Sequence, residues 1–201
     1  MDFISATQSV IGRVQAYLVP DQQCLTPRNW QSLGLPCANA ALYDWACILI
    51  GNLRNAPDGK TYHIGGMYLE FDNSADTIST PAITRGESLD YYNNLNTNYP
   101  VRDYLRVALI ATEGENTDAS LFTTYNRGRF YAHTAGVLGV NGLTFADTAN
   151  SVVYGGALVA YREFADASQD LIFSRFYFPA ESHVAKAPSS QIGVAWEITG
   201  N

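Results

Sequence analysis

The clearest alternation of apolar and polar positions lies at the end of the chain. From Gln191 to Thr199, Ile192, Val194, Trp196 and Ile198 alternate with Gly193, Ala195, Glu197 and Thr199. This is the period-two pattern of a strand with one wholly apolar face. Two further strand-like runs precede it, Val152 to Phe164 and Asp170 to Phe178. A lone strand cannot bury such a face, so the earlier chain must supply the opposing layer. Upstream, Tyr62, Ile64, Met67, Leu69 and Phe71 alternate with Tyr68 and Glu70. Gly65-Gly66 within that run predicts a bulge or a close backbone approach. Val101 to Ala111, Thr123 to His133 and Gly136 to Leu143 complete the strand predictions, separated by Gly, Asn and Asp.

The period changes in two places. From Ala38 to Leu53, the residues Ala41, Leu42, Trp45, Ile48, Leu49 and Leu53 recur at three- and four-residue intervals after Pro36, which predicts an amphipathic helix with Cys47 on its packing side. In the first twenty residues Phe3, Val10, Ile11, Val14 and Leu18 fall near helical spacing, with Gly12 weakening the pattern and Pro20 ending it. A short helix and an extended arm are both open there. An arm would reach a neighbouring subunit through Phe3, Ile11, Tyr17 and Leu18. Asp21 to Pro36 reads as a loop anchored by Trp30 and Leu33. The expected fold is mainly β, an antiparallel sandwich or jelly-roll-like domain with one or two N-terminal helices. It divides into an N-terminal arm and helical segment over 1–55 and a β-rich domain over 56–201, within a single structural unit.

Composition narrows the picture. With 47% apolar and 15% charged residues in 201, the chain is too hydrophobic for disorder. A formal net charge of −7 and no visible basic patch argue against nucleic acid as a partner. The longest apolar run, Trp45 to Ile50, is too short to cross a membrane, and the N-terminus lacks the basic start of a secretory signal. Cys24, Cys37 and Cys47 read as reduced thiols, a Cys24–Cys37 bridge being reserved for oxidising surroundings.

Reactive constellations are not evident. His63, His133 and His183 sit on separate elements without zinc-motif spacing. Glu113, Glu115 and Asp118 lack the order of a calcium loop. There is no G-x-S-x-G elbow and no P-loop, and the pairs Asp72/Asp76 and Asp166/Asp170 lie in turn-rich sequence where Asp serves the backbone. No catalytic residue, metal set or cofactor is predicted, and an enzyme is the least supported class. The cluster Tyr91, Tyr92, Asn93, Asn94, Asn96, Asn98 and Tyr99 has the composition of an adaptable recognition loop, for a glycan or a protein, or else of an ordinary ordered loop.

Three segments together resemble a family of structural proteins of tailed bacteriophages: ALYDWACILIGNL leading to YHIGGMYLEFDN, then RDYLRVAL, then GGALVA with DLIFSRFYF and SSQIGVAWEIT. They span Ala41 to Thr199. The resemblance implies a virion protein made in the host cytoplasm, a capsid decoration or cement protein. It would be a homotrimer seated over junctions of the major capsid protein. A tail, baseplate or fibre-associated component with a receptor or adaptor role is the alternative, with a carbohydrate-binding sandwich as a third.

Overall fold

The computed structural model describes residues 10–19, 31–54, 61–72, 82–108, 127–133, 152–163, 165–180, 183–185 and 191–200. The protein is mainly β. In chain order the described elements are β1 (Val10–Val19), β2 (Gln31–Ala41), α1 (Asp44–Leu53), β3 (His63–Asp72), α2 (Leu89–Asn93), α3 (Leu95–Asn98), β4 (Arg102–Ala108), β5 (Arg127–His133), β6 (Val152–Tyr161), β7 (Leu171–Tyr177), β8 (Val184–Ala185) and β9 (Gln191–Gly200). The strands form one sheet in the order β4-β3-β6-β7-β2-β1-β9-β5, with β8 paired to β6. Every described pairing is antiparallel. β2 joins the two halves, because its first part pairs with β1 and its end, Asn39–Ala41, pairs with β7. At that corner the Asn39 amide donates to the Ser174 hydroxyl, which donates in turn to the Ala40 carbonyl at 2.8 Å.

The sheet curls around a core drawn from both halves. Ile192, Val194 and Trp196 of β9 meet Val14 and Ala16 of β1, Met67, Leu69 and Phe71 of β3, Leu105 and Val107 of β4, and Phe176 of β7. The Trp196 and Phe176 rings pack edge to face at 5.0 Å. Burying a side chain such as Leu69 or Phe176 is worth about 1.5–3 kcal/mol, so this layer dominates the stability. α1 adds Ile48 and Trp45 to the same core. The bulge expected at Gly65-Gly66 is present as a register shift between Ile64 and Gly66 against β6. β3 is buried on both faces from Gly66 to Asp72, which sends Tyr68, Glu70 and Asp72 to a second packed layer outside the curl.

The N-terminal expectations need correction. Val10–Val19 is neither a helix nor an arm. It pairs along its whole length with β9, from Val10 opposite Gly200 to Val19 opposite Gln191, and with β2 on its other side. Ile11, Tyr17 and Leu18 therefore belong to an interior strand of this chain, and Phe3 lies outside the described residues. Nor does a boundary fall at residue 55, because β1 and β2 sit between β7 and β9. Of the stretch read as a loop from Asp21 to Pro36 and as helix from Ala38, residues 21–30 lie outside the described residues and Gln31–Ala41 is one strand. Its irregularity has a local cause. Gly34 takes the left-handed conformation at φ 65°, and Pro36, which has no N–H to donate, sits in the same break of the β1–β2 register. The Gln15 side-chain amide bridges that break by donating to the carbonyls of Leu33 at 3.0 Å and Gly34 at 3.1 Å.

The helix starts only at Asp44, and Cys47 is exposed on it rather than packed. Cys37 is buried with a free thiol, and Cys24, its expected partner in oxidising surroundings, is outside the described residues. Gly136 to Leu143 is likewise outside them.

Candidate functional site

The densest gathering of charged and aromatic side chains lies on the outer face of β4-β3-β6-β7, beneath α2 and α3. Ser88 caps α2 by accepting from the Asp90 N–H at 3.3 Å. The two short helices then turn Tyr92 and Leu95 inward, onto Tyr68, Tyr104, Ala157, Val159 and Ile172. Tyr68, Tyr92 and Tyr104 form a triangle with ring centroids 4.7–5.0 Å apart.

Arg175 is the centre of this layer. β6 lies between β7 and β3, and at this row it carries Gly155 and Ala157: Glu70 is opposite Gly155, and Arg175 is opposite Ala157. Small residues on the middle strand let the guanidinium lie across it. Arg175 Nη2 donates to Glu70 Oε1 at 3.0 Å and Oε2 at 3.2 Å, and Nε donates to Oε1 at 3.2 Å. Nη1 reaches Glu87, which precedes α2, and Nη2 also reaches the Tyr177 hydroxyl. Tyr92 donates to Glu70 Oε1 at 2.6 Å. The Tyr91 ring lies over the guanidinium at 3.9 Å. Arg175 thus ties β3, β7 and the start of α2 together.

Two smaller pairs flank it. Arg106 makes a two-pronged contact with Asp170, Nε to Oδ2 at 2.7 Å and Nη2 to Oδ1 at 2.9 Å, and the Tyr68 hydroxyl donates to the same carboxylate. Arg102 lies 3.6 Å from Asp72 and between the rings of Tyr99 and Tyr154, 4.7 and 4.8 Å from their centroids. Tyr154 stacks on Tyr177 at 5.8 Å, and Tyr177 lies 4.9 Å from Arg175. Tyr99, Arg102, Tyr154, Tyr177, Arg175 and Tyr91 therefore form one continuous stack. It fastens the helical cap at both ends, through Tyr91 and Tyr99.

Burial first and neighbouring carboxylates second hold these phenols in their neutral form. Tyr91, beside Glu70, and Tyr104, beside Asp103 and Asp170, are pushed up to about 12. Tyr68, Tyr154 and Tyr177 are raised further, and Tyr92, fully buried beside Glu70, is raised well above its ordinary value. The resulting chemistry is cohesive: Arg175 and Arg106 are held by the carboxylates of Glu70, Glu87 and Asp170, which also accept from Tyr92 and Tyr68, while the buried Tyr154 hydroxyl has no hydrogen-bond partner and contributes its ring alone.

This revises the recognition-loop expectation. Tyr91 and Tyr99 are half-buried and Tyr92 is 2% exposed, so the aromatic part of the cluster is internal; Asn93, Asn94, Asn96 and Asn98 point outward. The Asn94 side chain is engaged with the Asp90 carbonyl at 2.8 Å. The carboxylates taken as turn formers divide. Asp166 does cap the 3-10 turn Ala167–Gln169, whereas Asp72 and Asp170 are buried partners of arginine. His63 is exposed, and His183 lies against the Phe178 carbonyl at 3.0 Å. Among the described residues no three His, Cys, Asp or Glu side chains gather as a metal set. Glu113, Glu115, Asp118 and Asp76 are outside them.

Sequence reasoning passed over Glu87, Arg102, Arg106 and Arg175, and took Glu70 only as a polar strand position and Asp170 only as a turn former. A signal was present: Glu70 in GMYLEFD, Arg106 in YLRVAL and Arg175 in LIFSRFYF are single charges inside apolar runs, and a charge buried in a strand needs a partner. No protein-family model, curated protein or solved structure matches the chain.

Proposed function

We propose that this chain is a structural protein of a tailed-bacteriophage virion, a head decoration or cement protein that acts as a homotrimer over junctions of the major capsid protein. One observation carries the reading: its buried arginines, carboxylates and tyrosines are spent on clamping four strands and a helical cap. A lattice cement needs a stiff body that keeps its outer shape under load, and binding to the lattice then stabilises the assembly by mass action. Four of the stretches that resemble phage structural proteins, YHIGGMYLEFDN, RDYLRVAL, GGALVA and DLIFSRFYF, contribute strands to this clamp.

Quantitative mass spectrometry of purified particles tests the reading through the ratio of this chain to the major capsid protein. A ratio near one, or a fixed large fraction of it, is expected. A few copies per particle would move the chain to the tail, baseplate or fibre, a second reading favoured by the outward amides of Asn93, Asn96 and Asn98. Absence from particles would sink both. The carbohydrate-binding reading loses support, because the tyrosines that would stack on a sugar are turned inward.

A further inference from the structure

The helical cap is joined to the sheet in a different way from the strands. Among the described residues its backbone bonds to the rest fall near its ends: the Tyr43 N–H donates to the Arg85 carbonyl at 2.9 Å, and the Arg102 N–H donates to the Tyr99 carbonyl at 2.8 Å. Between those points side chains hold it. Tyr92 and Leu95 sit in the apolar layer with Tyr68 and Tyr104, Tyr92 donates to Glu70 at 2.6 Å, the Tyr91 hydroxyl lies 3.3 Å from that of Tyr177, and Glu87 accepts from Arg175. The charges beneath are complete without the cap. Arg175 has Glu70, Arg106 has Asp170 and Arg102 lies beside Asp72, each on the sheet or at the start of β7. Lifting the cap therefore strands no buried charge, which is the penalty that keeps a buried ion pair closed. β1 and β9, paired along their whole length with their apolar face in the core, have no such parting line.

We infer that residues 87–98 form a lid that lifts off the tyrosine floor as one unit, with the Glu87–Arg175 contact as its latch. The turn from Tyr99 to Arg102 is the pivot, closed by its backbone bond and by the Arg102 guanidinium over the Tyr99 ring at 4.7 Å. Gly86 gives slack at the other end, exposed and with open space where a side chain would lie. Glu87 is the lid's own charge in the cluster and the one that water already reaches: its side chain is 11% exposed, against none for Arg175 and Glu70. On lifting, water replaces Glu87 at Arg175 Nη1 while Glu70 keeps its hold on Nη2 and Nε. Helices of five and four residues do not persist alone in water, so α2 and α3 unwind once they leave the floor. The closed form prevails at neutral pH, and lifting is a rare local opening of the kind that precedes global unfolding. This lid does not depend on the proposed virion role.

Amide hydrogen exchange of the full chain, followed residue by residue by NMR at several urea concentrations below the unfolding transition, tests it. The Tyr91, Asn94 and Asn98 N–H groups, bonded within the lid to the Ser88, Asp90 and Asn94 carbonyls, report lifting. They are expected to share one opening constant, at least about tenfold larger than that of the β9 amides, and to open more often as urea rises, because lifting bares the tyrosine floor. Glu87→Gln, which keeps the shape and removes the charge, should raise that constant about tenfold and leave β9 unchanged, in line with the loss of one charged hydrogen bond. Lid amides that exchange only together with β9 would overturn the inference. So would three unrelated rates indifferent to urea, the mark of separate fraying. A Glu87→Gln effect that is absent, or equal in the lid and β9, would remove Glu87 as the latch.

Discussion

Arg175 shows how much of this molecule hangs on single side chains. Its side chain and that of Glu70 have no exposure to water, and Glu87 has little. Such a pair is no proof of added stability over apolar residues of the same shape, but removing one partner leaves the other charge buried and alone. We predict that Arg175→Met costs about 3–5 kcal/mol in urea unfolding, whereas Arg54→Met, at an exposed position, changes stability by no more than about 0.5 kcal/mol. A loss below about 1 kcal/mol for Arg175→Met would mean that the cluster relaxes easily or takes in water.

The tyrosines give a second prediction at this scale. Their folded values lie above the ordinary value of about 10 that the unfolded chain restores. Below that value both states hold the proton and stability does not change. Above it the unfolded chain releases protons that the folded one keeps, so stability falls as pH rises toward 12. Phenolate absorbance of these rings should therefore appear together with loss of the β-sheet circular dichroism, not before it. Gradual ionisation of all thirteen tyrosines in a still-folded protein would contradict the burial described.

At the level of elements, β6 is where sequence and packing are most tightly matched. Its Gly155-Gly156 pair lies between β3 and β7, and a Cβ on Gly156 would collide with the Tyr68 carbonyl and press on the Phe176 ring at 3.1 Å. Because the first obstacle is backbone, it cannot swing aside. Gly156→Ala is expected to cost about 1–3 kcal/mol or more. Gly86→Ala, in open space on the exposed turn before α2, should be neutral or stabilising by about 0.4–1 kcal/mol. Thermal melts of the two variants would check the contrast.

The same elements explain what could be read in advance. β3, β7 and β9 were legible because each carries its own signal, an alternation or an apolar run between turn residues. The bulge was marked by a glycine pair. β1 and β2 were not legible, because what makes Val10–Val19 a strand is β9, on the far side of the sequence. Gly34 and Pro36 hid β2 by doing the work of a loop inside a strand. The cap was half legible. The Tyr-Asn composition announced an ordered surface element, but which residues face inward depends on the helical turn of α2, and that rests on the tyrosine floor beneath it.

For the molecule as a whole, the decisive contact joins its two ends. Each residue of β1 has a partner in β9, and β9 also holds β5. The inner layer is therefore completed only by the last strand, which makes folding non-local and sets an expected folding time of milliseconds to seconds. A chain ending at Ser190 would lose Ile192, Val194 and Trp196 from the core, at about 1.5–3 kcal/mol each, against a total stability of about 5–15 kcal/mol for an ordinary domain. It would also expose the edges of β1 and β5 to pairing with other chains. We predict that this truncated chain shows no cooperative thermal transition and aggregates. A peptide of residues 191–201 supplied during refolding should restore the transition, because an antiparallel strand can be added from outside to two waiting edges. A truncated chain that melts cooperatively on its own would place the stability of the fold in the clamp beneath α2 and α3 rather than in the joining of the two ends.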